Sequence, residues 1–325
     1  MTGKASGSTL PLSIIVPTYR GGPSIYDNLM RLDYALMAIG EPYEIIVVSD
    51  GNSDNTHEEA RRLDAPHVWV YHYERNMGKG FALRYGVARS RGEIVTFIDG
   101  DGDIDPVQIA AYLHIMRESG ANIVVGSKRH AESQVIYPPL RRLYSATYQA
   151  LLRLLFNLQV HDTQVGLKLF RREVLAAVLP RIVVKRYAFD LELLVVANHL
   201  GFKHVVEAPV HIGQRFSSTI NCRAIMSILW ETAAIFYRKR VLHYYDHLHM
   251  PVAFDGLSAL TEAELAAVSD GEHIARNVAL WLADGCTGIF RSCYTKGRMW
   301  LTGANSAVVK DARVDVEEDE WRASM

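Results

Sequence analysis

Strand-like and helix-like segments alternate along the first hundred residues, and this alternation constrains the chain most. Leu12 to Val16 (LSIIV), Glu44 to Val48 (EIIVV), Val68 to Tyr73 (VWVYHY) and Ile94 to Ile98 (IVTFI) are short runs of β-branched and aromatic residues. Between them, Asp27 to Ile39, Asn55 to Leu63 and Lys79 to Ser90 carry apolar residues at helical spacing. A strand–helix–strand series of this kind closes most readily as a right-handed parallel α/β sheet. Ile123 to Val125 adds a strand. Arg141 to Leu158, Glu173 to Leu179 and Leu191 to Leu200 then read as helices, with further helical character from about Ile212 to Tyr245.

With 325 residues, 49% of them apolar, the chain can bury one large core and carry an appendage. The expected division is a loose leader over 1–11, an α/β domain over 12–245, a small helical extension over 246–310 and an acidic tail over 311–325. Thr261 and Glu264 form a capping-box pattern that opens a short helix in the extension. Basic residues number 35 and acidic residues 36, so no global field draws in nucleic acid, and no nucleic-acid partner is expected. Cys222, Cys286 and Cys293 offer neither a paired framework nor zinc-ligand spacing, which suits a reducing, cytoplasmic compartment. The longest apolar stretch, Ile225 to Tyr237, is interrupted by Glu231 and is too short to span a bilayer.

Chemistry concentrates in Phe97 to Pro106 (FIDGDGDIDP), where an apolar strand runs into Asp99, Asp101, Asp103 and Asp105 at alternate positions. Such a cluster repels itself unless a cation neutralises it, and carboxylate oxygens suit a hard ion. Mg²⁺ or Mn²⁺ held by one or two carboxylates completes its shell with substrate phosphates, so the cluster predicts a metal-bridged diphosphate. A calcium loop is excluded, because the twelfth position counted from Asp99 is Ala110 rather than Glu; a plain acidic turn is the rival reading. Two loops follow the first two strands, Pro17-Thr18-Tyr19-Arg20-Gly21-Gly22 and Ser49-Asp50-Gly51-Asn52-Ser53-Asp54. Ligands of open α/β sheets collect at such carboxyl ends, where Asp50 can meet ribose hydroxyls, although an Asx-turn leading into a helix explains the second loop equally. Asn76-Met77-Gly78-Lys79-Gly80 brings backbone amides and one ammonium to an anion at a helix start. It lacks the Lys-Ser/Thr ending of a Walker loop, and GxGxxG is absent, which weakens both an NTPase and a dinucleotide-dehydrogenase reading.

The order PTYRGG, VVSDGNSDNT, NMGKG and FIDGDGD resembles the inverting family 2 glycosyltransferases. GSKRH, RRLYS, HDTQVGLKLFRREVL, FDLELL and EAPVH extend the likeness toward the dolichyl- and polyprenyl-phosphate glucosyl- and mannosyltransferases, over about Leu12 to Lys239. The resemblance implies a nucleotide-diphospho-sugar (GT-A) fold with a mixed, mainly parallel sheet flanked by helices. It implies that Pro17, Tyr19 and Asp50 hold the nucleoside, with Asn76 and Lys79 beside them. Asp99, Gly100 and Asp101 would carry the metal and diphosphate, and Asp103 stands where some relatives place a Gln ligand. Lys128, Arg129, Arg141 and Arg142 would face an acceptor phosphate, Asp190 would lie near the sugar, and His211 and Arg215 would help hold phosphates. Arg20 and Gly21 replace an Asn-Glu pair, Ser49 replaces an Asp, and Lys128 replaces an Arg whose fork a lysine lacks.

A lipid monophosphate acceptor is already anionic and needs positioning more than a base, whereas a hydroxyl acceptor needs one, with Asp190 or Glu192 the candidates. The expected activity is inverting transfer of a hexose from a UDP-glucose or GDP-mannose type of donor to a polyprenyl phosphate, with peripheral contact at a membrane. The alternatives are a soluble transferase acting on a hydroxyl and a non-catalytic sugar-nucleotide-binding protein. Tyr144 to Leu158 suits either a core helix or a membrane-surface helix, and YRKRVLHYY at Tyr237 to Tyr245 suits either an interfacial anchor or a solvated helix end.

Overall fold

The computed structural model describes residues 11–247 except 52–53, 134–138, 159, 185–187 and 214–221, with side chains omitted for 139–144, 222–224 and 247. The expected leader, nearly all of the extension and the acidic tail lie outside the described residues, as does Arg215.

Seven strands form one sheet in the order β3-β2-β1-β4-β6-β5-β7. β1 (Leu12–Thr18) is buried along its whole length at the centre of the first half, in parallel register with β2 (Tyr43–Asp50) and β4 (Ile94–Phe97). β3 (Val68–Tyr73) extends the parallel set outside β2. β6 (Lys168–Arg171) runs antiparallel between β4 and β5 (Ile123–Ser127), pairing Phe97 with Lys168 and Val125 with Lys168 from its two sides. β7 (Val205–Pro209) returns parallel to β5. The sheet is therefore mixed and mainly parallel, as expected.

Side-chain alternation along the central strands explains the layers, because a strand buried on both faces needs cover on both. Leu12, Ile14, Val16, Ile45 and Val47 face one way and share a core with α1 (Ser24–Ile39) and α4 (Gln108–Ser119). On the opposite face, α3 (Lys79–Val87) approaches so closely that a Cβ on Gly86 would stand 2.5 Å from Ile15 Cγ2. Glycine at 86 thus sets the distance from α3 to the sheet. The remaining helices are α2 (Thr56–Arg61), α5 (Pro139–Phe156), α6 (Arg172–Val178), α7 (Phe189–His199), α8 (Cys222–Arg240) and α9 (Tyr244–His247). The stretch expected to be helical from Ile212 differs at its start, where Ile212 forms a bridge with Ile104, and among the described residues α8 covers Cys222–Arg240.

Candidate active site

The parallel strands β1, β2, β3 and β4 all end on one side, and the loops leaving them surround a cavity of about 750 Å³. Its floor is organised by Asp50, the last residue of β2. One carboxylate oxygen accepts the Met77 N–H at 2.6 Å and the Tyr73 hydroxyl at 2.9 Å, while the other accepts the Gly78 N–H at 2.9 Å. Asp50 therefore shapes the 74–78 loop. Glycine is required at both contact points, since Gly51 (φ 93°) and Gly78 (φ 96°) adopt left-handed backbone. A Cβ on Gly51 would also press on the Asn76 amide at 3.0 Å.

That loop delivers Lys79 at the first position of α3, with its ammonium 2.5 Å from Asp99 Oδ1. Asp99 and Gly100 continue from β4 alongside β1, the Gly100 N–H donating to the Pro17 carbonyl and the Asn28 side chain donating to the Gly100 carbonyl. Gly102 (φ 75°) then turns the chain, and Asp101 Oδ1 accepts the Asp103 N–H at 3.1 Å. The four carboxylates separate here by role. Asp105 accepts the Val107 N–H at the start of α4, a structural duty, whereas Asp99, Asp101 and Asp103 remain electrostatically joined. Burial pushes the Asp101 carboxyl above its ordinary range, with Asp99 and Asp103 adding to the push against the Asp103 amide and Lys79. Burial and then Asp99 also raise Asp103. Burial opposes the charge on Lys79, but Asp99, Asp190 and Asp101 outweigh it and hold the ammonium above the usual lysine range.

The far wall comes from the second half of the sheet. Asp190, in the first turn of α7, accepts from the buried Lys168 ammonium at 2.8 Å, and Lys168 also donates to the Val165 carbonyl. Burial would raise the Asp190 carboxyl, but Lys168 and then Lys79 hold it below the ordinary carboxylate range. Gly166 lies against Asp99, where an added Cβ would fall 2.2 Å from Asp99 Oδ2.

Of the residues expected at the site, Pro17, Tyr19, Asp50, Asn76, Lys79, Asp99, Gly100, Asp101 and Asp190 line this one cavity. Asp103, Lys128, Arg129 and His211 are not among its lining residues. The Lys128 ammonium stands 4.0 Å from Asp162, Arg129 donates to Ser145 Oγ at 3.4 Å, and His211 is joined through its backbone to the Gln108 side chain. Arg141 lies in α5, its side chain outside the described set. Arg20 and Gly21, singled out as departures from the family pattern, line the cavity, with Arg20 (φ 54°) stacked over Tyr19 at 5.1 Å. Gln164 and the Lys168 counter-charge were not anticipated as site residues. Lys168 had a visible signal, a lone lysine inside the apolar run GLKLF.

The donor set fits a hard divalent ion. Asp99 and Asp101 line the cavity with Lys79 as their near cation, and Asp103 is joined to them electrostatically from outside the lining. Among the described residues no three His, Cys, Asp or Glu side chains form a group that could hold a metal ion on their own, so at most two of these carboxylates would ligate one ion together.

A dolichyl-phosphate beta-glucosyltransferase of Trichomonas vaginalis is 33% identical over 266 residues, covering 76% of this chain and 78% of that protein. The dolichyl-phosphate beta-glucosyltransferase of Homo sapiens is 31% identical, covering 58% of this chain and 64% of its own length. Mannosyl-3-phosphoglycerate synthase from Rubrobacter xylanophilus superposes with a TM-score of 0.55 at 18% identity, over 74% of this chain and 76% of that one. Glucosyl-3-phosphoglycerate synthase from Mycobacterium tuberculosis, solved with Mn²⁺, uridine diphosphate and phosphoglyceric acid, gives a TM-score of 0.51 at 18% identity, over 70% and 78% of the two chains. These two share the GT-A fold with this protein. The glycosyl transferase family 2 model matches residues 13–179, which span β1 to α6 and contribute every lining residue of the cavity but Asp190, and so the chain belongs to glycosyl transferase family 2 and is a glycosyltransferase.

Proposed function

We propose that this enzyme transfers glucose, with inversion, from a nucleoside-diphosphate glucose to a polyprenyl phosphate of the dolichyl type. The observation that carries the reading is the set of relatives, dolichyl-phosphate beta-glucosyltransferases whose matches cover about three quarters of the chain. The cavity supports it. Pro17, Tyr19 and Asp50 stand where a nucleoside would lie, with Asn76 beside them. Asp99 and Asp101, with Asp103, would hold Mg²⁺ or Mn²⁺, which when bound neutralises charge on the departing nucleoside diphosphate.

Lys79 places a fixed positive charge beside Asp99, where the diphosphate is expected. The state of Asp190 bears on the acceptor. Held below the ordinary carboxylate range by Lys168, it is a poor proton acceptor, so it serves to orient sugar hydroxyls rather than to activate an acceptor hydroxyl. An acceptor phosphate oxygen needs no such base. It attacks the anomeric carbon as the bond from that carbon to the diphosphate oxygen breaks, and one displacement inverts the centre. Lys128 and Arg129, with Arg141, are the proposed contacts with the acceptor phosphate, His211 and Arg215 are proposed to help hold phosphates, and the reading has the enzyme work at the face of a membrane that presents the lipid.

The test is release of nucleoside diphosphate from UDP-glucose, with GDP-mannose in parallel, in the presence of Mn²⁺ or Mg²⁺ and with or without dolichyl phosphate. Turnover that requires metal and lipid and is lost in Asp101→Ala is expected. Donor hydrolysis or transfer indifferent to the lipid phosphate overturns the acceptor assignment.

A further inference from the structure

We infer that α5 and α8 together form a docking face for an anionic bilayer surface. The two helices pack side by side. Tyr148 Oη meets Thr232 Oγ1 at 2.8 Å, and two turns along α5 the Phe156 ring meets Phe236 at 6.2 Å and the Lys239 ammonium at 6.0 Å. The contacts advance in the same order, so the helices run in the same direction. Stepping about 100° per residue from them puts the outward residues of both helices on one side of the pair.

Those outward residues are apolar. On α8, Met226 is 64% and Trp230 77% exposed, with Ile225, Leu229 and Tyr237 exposed on the same stripe, and on α5 Leu154 is 82% exposed beside Leu151. The inward side of α8 combines the fully buried Ile235 with polar groups, holding Thr232 and Arg238 buried and turning the Glu231 carboxylate onto the Ala188 N–H. A surface helix of a soluble protein has the reverse polarity. Separate exposed leucines are ordinary, but a contiguous stripe led by Trp and Met marks an interaction surface.

Charge decides what covers it. α5 contains no Asp or Glu, and α8 contains only Glu231, which faces inward. The cations beside the stripe are Arg240, exposed on α8, and Lys239, which lies at the seam over the Phe156 ring. Burial and Arg240 lower the Lys239 pKa, the position expected of an ammonium lying along apolar surface. A Trp- and Leu-bearing stripe fringed by Lys and Arg and free of carboxylates is the chemistry of a helix lying in a lipid headgroup region. Among the described residues no helix is long and apolar enough to cross a membrane, so contact through these helices is peripheral.

The docking face deepens the lipid-acceptor reading by naming the surface that meets the membrane, yet it is measured without donor or acceptor. The full chain is sedimented with vesicles of phosphatidylcholine containing phosphatidylserine, and with phosphatidylcholine alone, neither containing dolichyl phosphate. Expected is binding that prefers the anionic vesicles, weakens with salt, and falls about tenfold or more in Leu154→Gln/Trp230→Gln. Met37→Gln, which removes another well-exposed apolar side chain from α1, should bind as the parent does. Three results overturn the inference: parent protein that ignores anionic vesicles, a double variant that binds undiminished, or loss of concentration-dependent self-association in the double variant without any vesicle effect. Failure of glucose transfer with vesicle binding intact would sink the activity reading alone.

Discussion

At the scale of single residues, the site is held by charges that compensate one another in places where water does not. Lys168 and Asp190 are the buried pair, and removing one partner strands the other. Lys168→Met is therefore expected to cost about 3–5 kcal/mol of stability near pH 7. The sign of its pH dependence follows from the shift. In the parent the Asp190 carboxyl is depressed, so its contribution is present above the unfolded carboxylate value and is lost as pH falls through the lower folded value. Without Lys168 the Asp190 carboxyl rises and binds a proton earlier on acidification, so the deficit of the variant should narrow between about pH 7 and about pH 4 in urea titrations. A deficit that stays constant would mean that Lys168 acts by packing alone. Much of the cavity lining was legible at this scale, because Asp50 ends, and Asp99 and Asp101 closely follow, strands that the β-branched runs already mark. Lys168 and Gln164 were not. The apolar run GLKLF marks Lys168 as unusual, but nothing local identifies the carboxylate 22 residues later that it faces. Gly166 is similar, since its contact with Asp99 exists only once β6 has inserted beside β4.

At the scale of elements, α7 is fixed through Glu192, one turn after its start and two residues past Asp190. The Glu192 carboxylate is fully buried and accepts the Val183 and Val184 N–H groups at 2.9 and 2.7 Å, the Arg238 guanidinium at 3.0 Å and the Tyr245 hydroxyl at 2.6 Å. One side chain thus ties α7, the approach to it, α8 and α9. Glu192→Gln and Arg238→Met should each destabilise by about 2–4 kcal/mol, and the double variant should fall short of their sum by about 1–3 kcal/mol, measured as a double-mutant cycle in urea. Additive losses would show that α8 is held by its apolar contacts rather than by this network. Glu192 was weighed from the sequence as a base, and its four donors show it instead as a brace. The elements themselves divide by how much of their burial is local. β1 to β4 and α1 to α3 were readable from period alone. α4 carries a readable stripe at Ile109, Tyr112, Leu113 and Met116, which the neighbouring carboxylates overshadow. β6 has only four residues and opens on a buried lysine, so its strand character comes from the partners on either side rather than from its own pattern.

At the scale of the whole molecule, the cavity joins loops from both halves of the sheet, from Pro17 after β1 to Asp190 on α7. A ligand that fills it cross-links those halves and stabilises the fold by mass action. At a hundredfold excess over its dissociation constant, a nucleoside-diphosphate sugar with Mn²⁺ contributes about 2.7 kcal/mol, and a domain of this size then melts about 5–10 °C higher. UDP-glucose is expected to produce that rise. The Asp101→Asn variant separates site from scaffold. Asp101 is crowded by Asp99 and Asp103 and penalised by burial, so without ligand the neutral amide should leave the melting temperature unchanged or slightly higher. With UDP-glucose and Mn²⁺ the same variant should show little or no rise. The paired outcome, a scaffold at least as stable and a ligand response gone, is what a metal-dependent nucleotide site at the strand ends requires. A parent-like rise in Asp101→Asn would instead remove the carboxylate cluster from donor binding and leave the anchoring to the loops after β1 and β2.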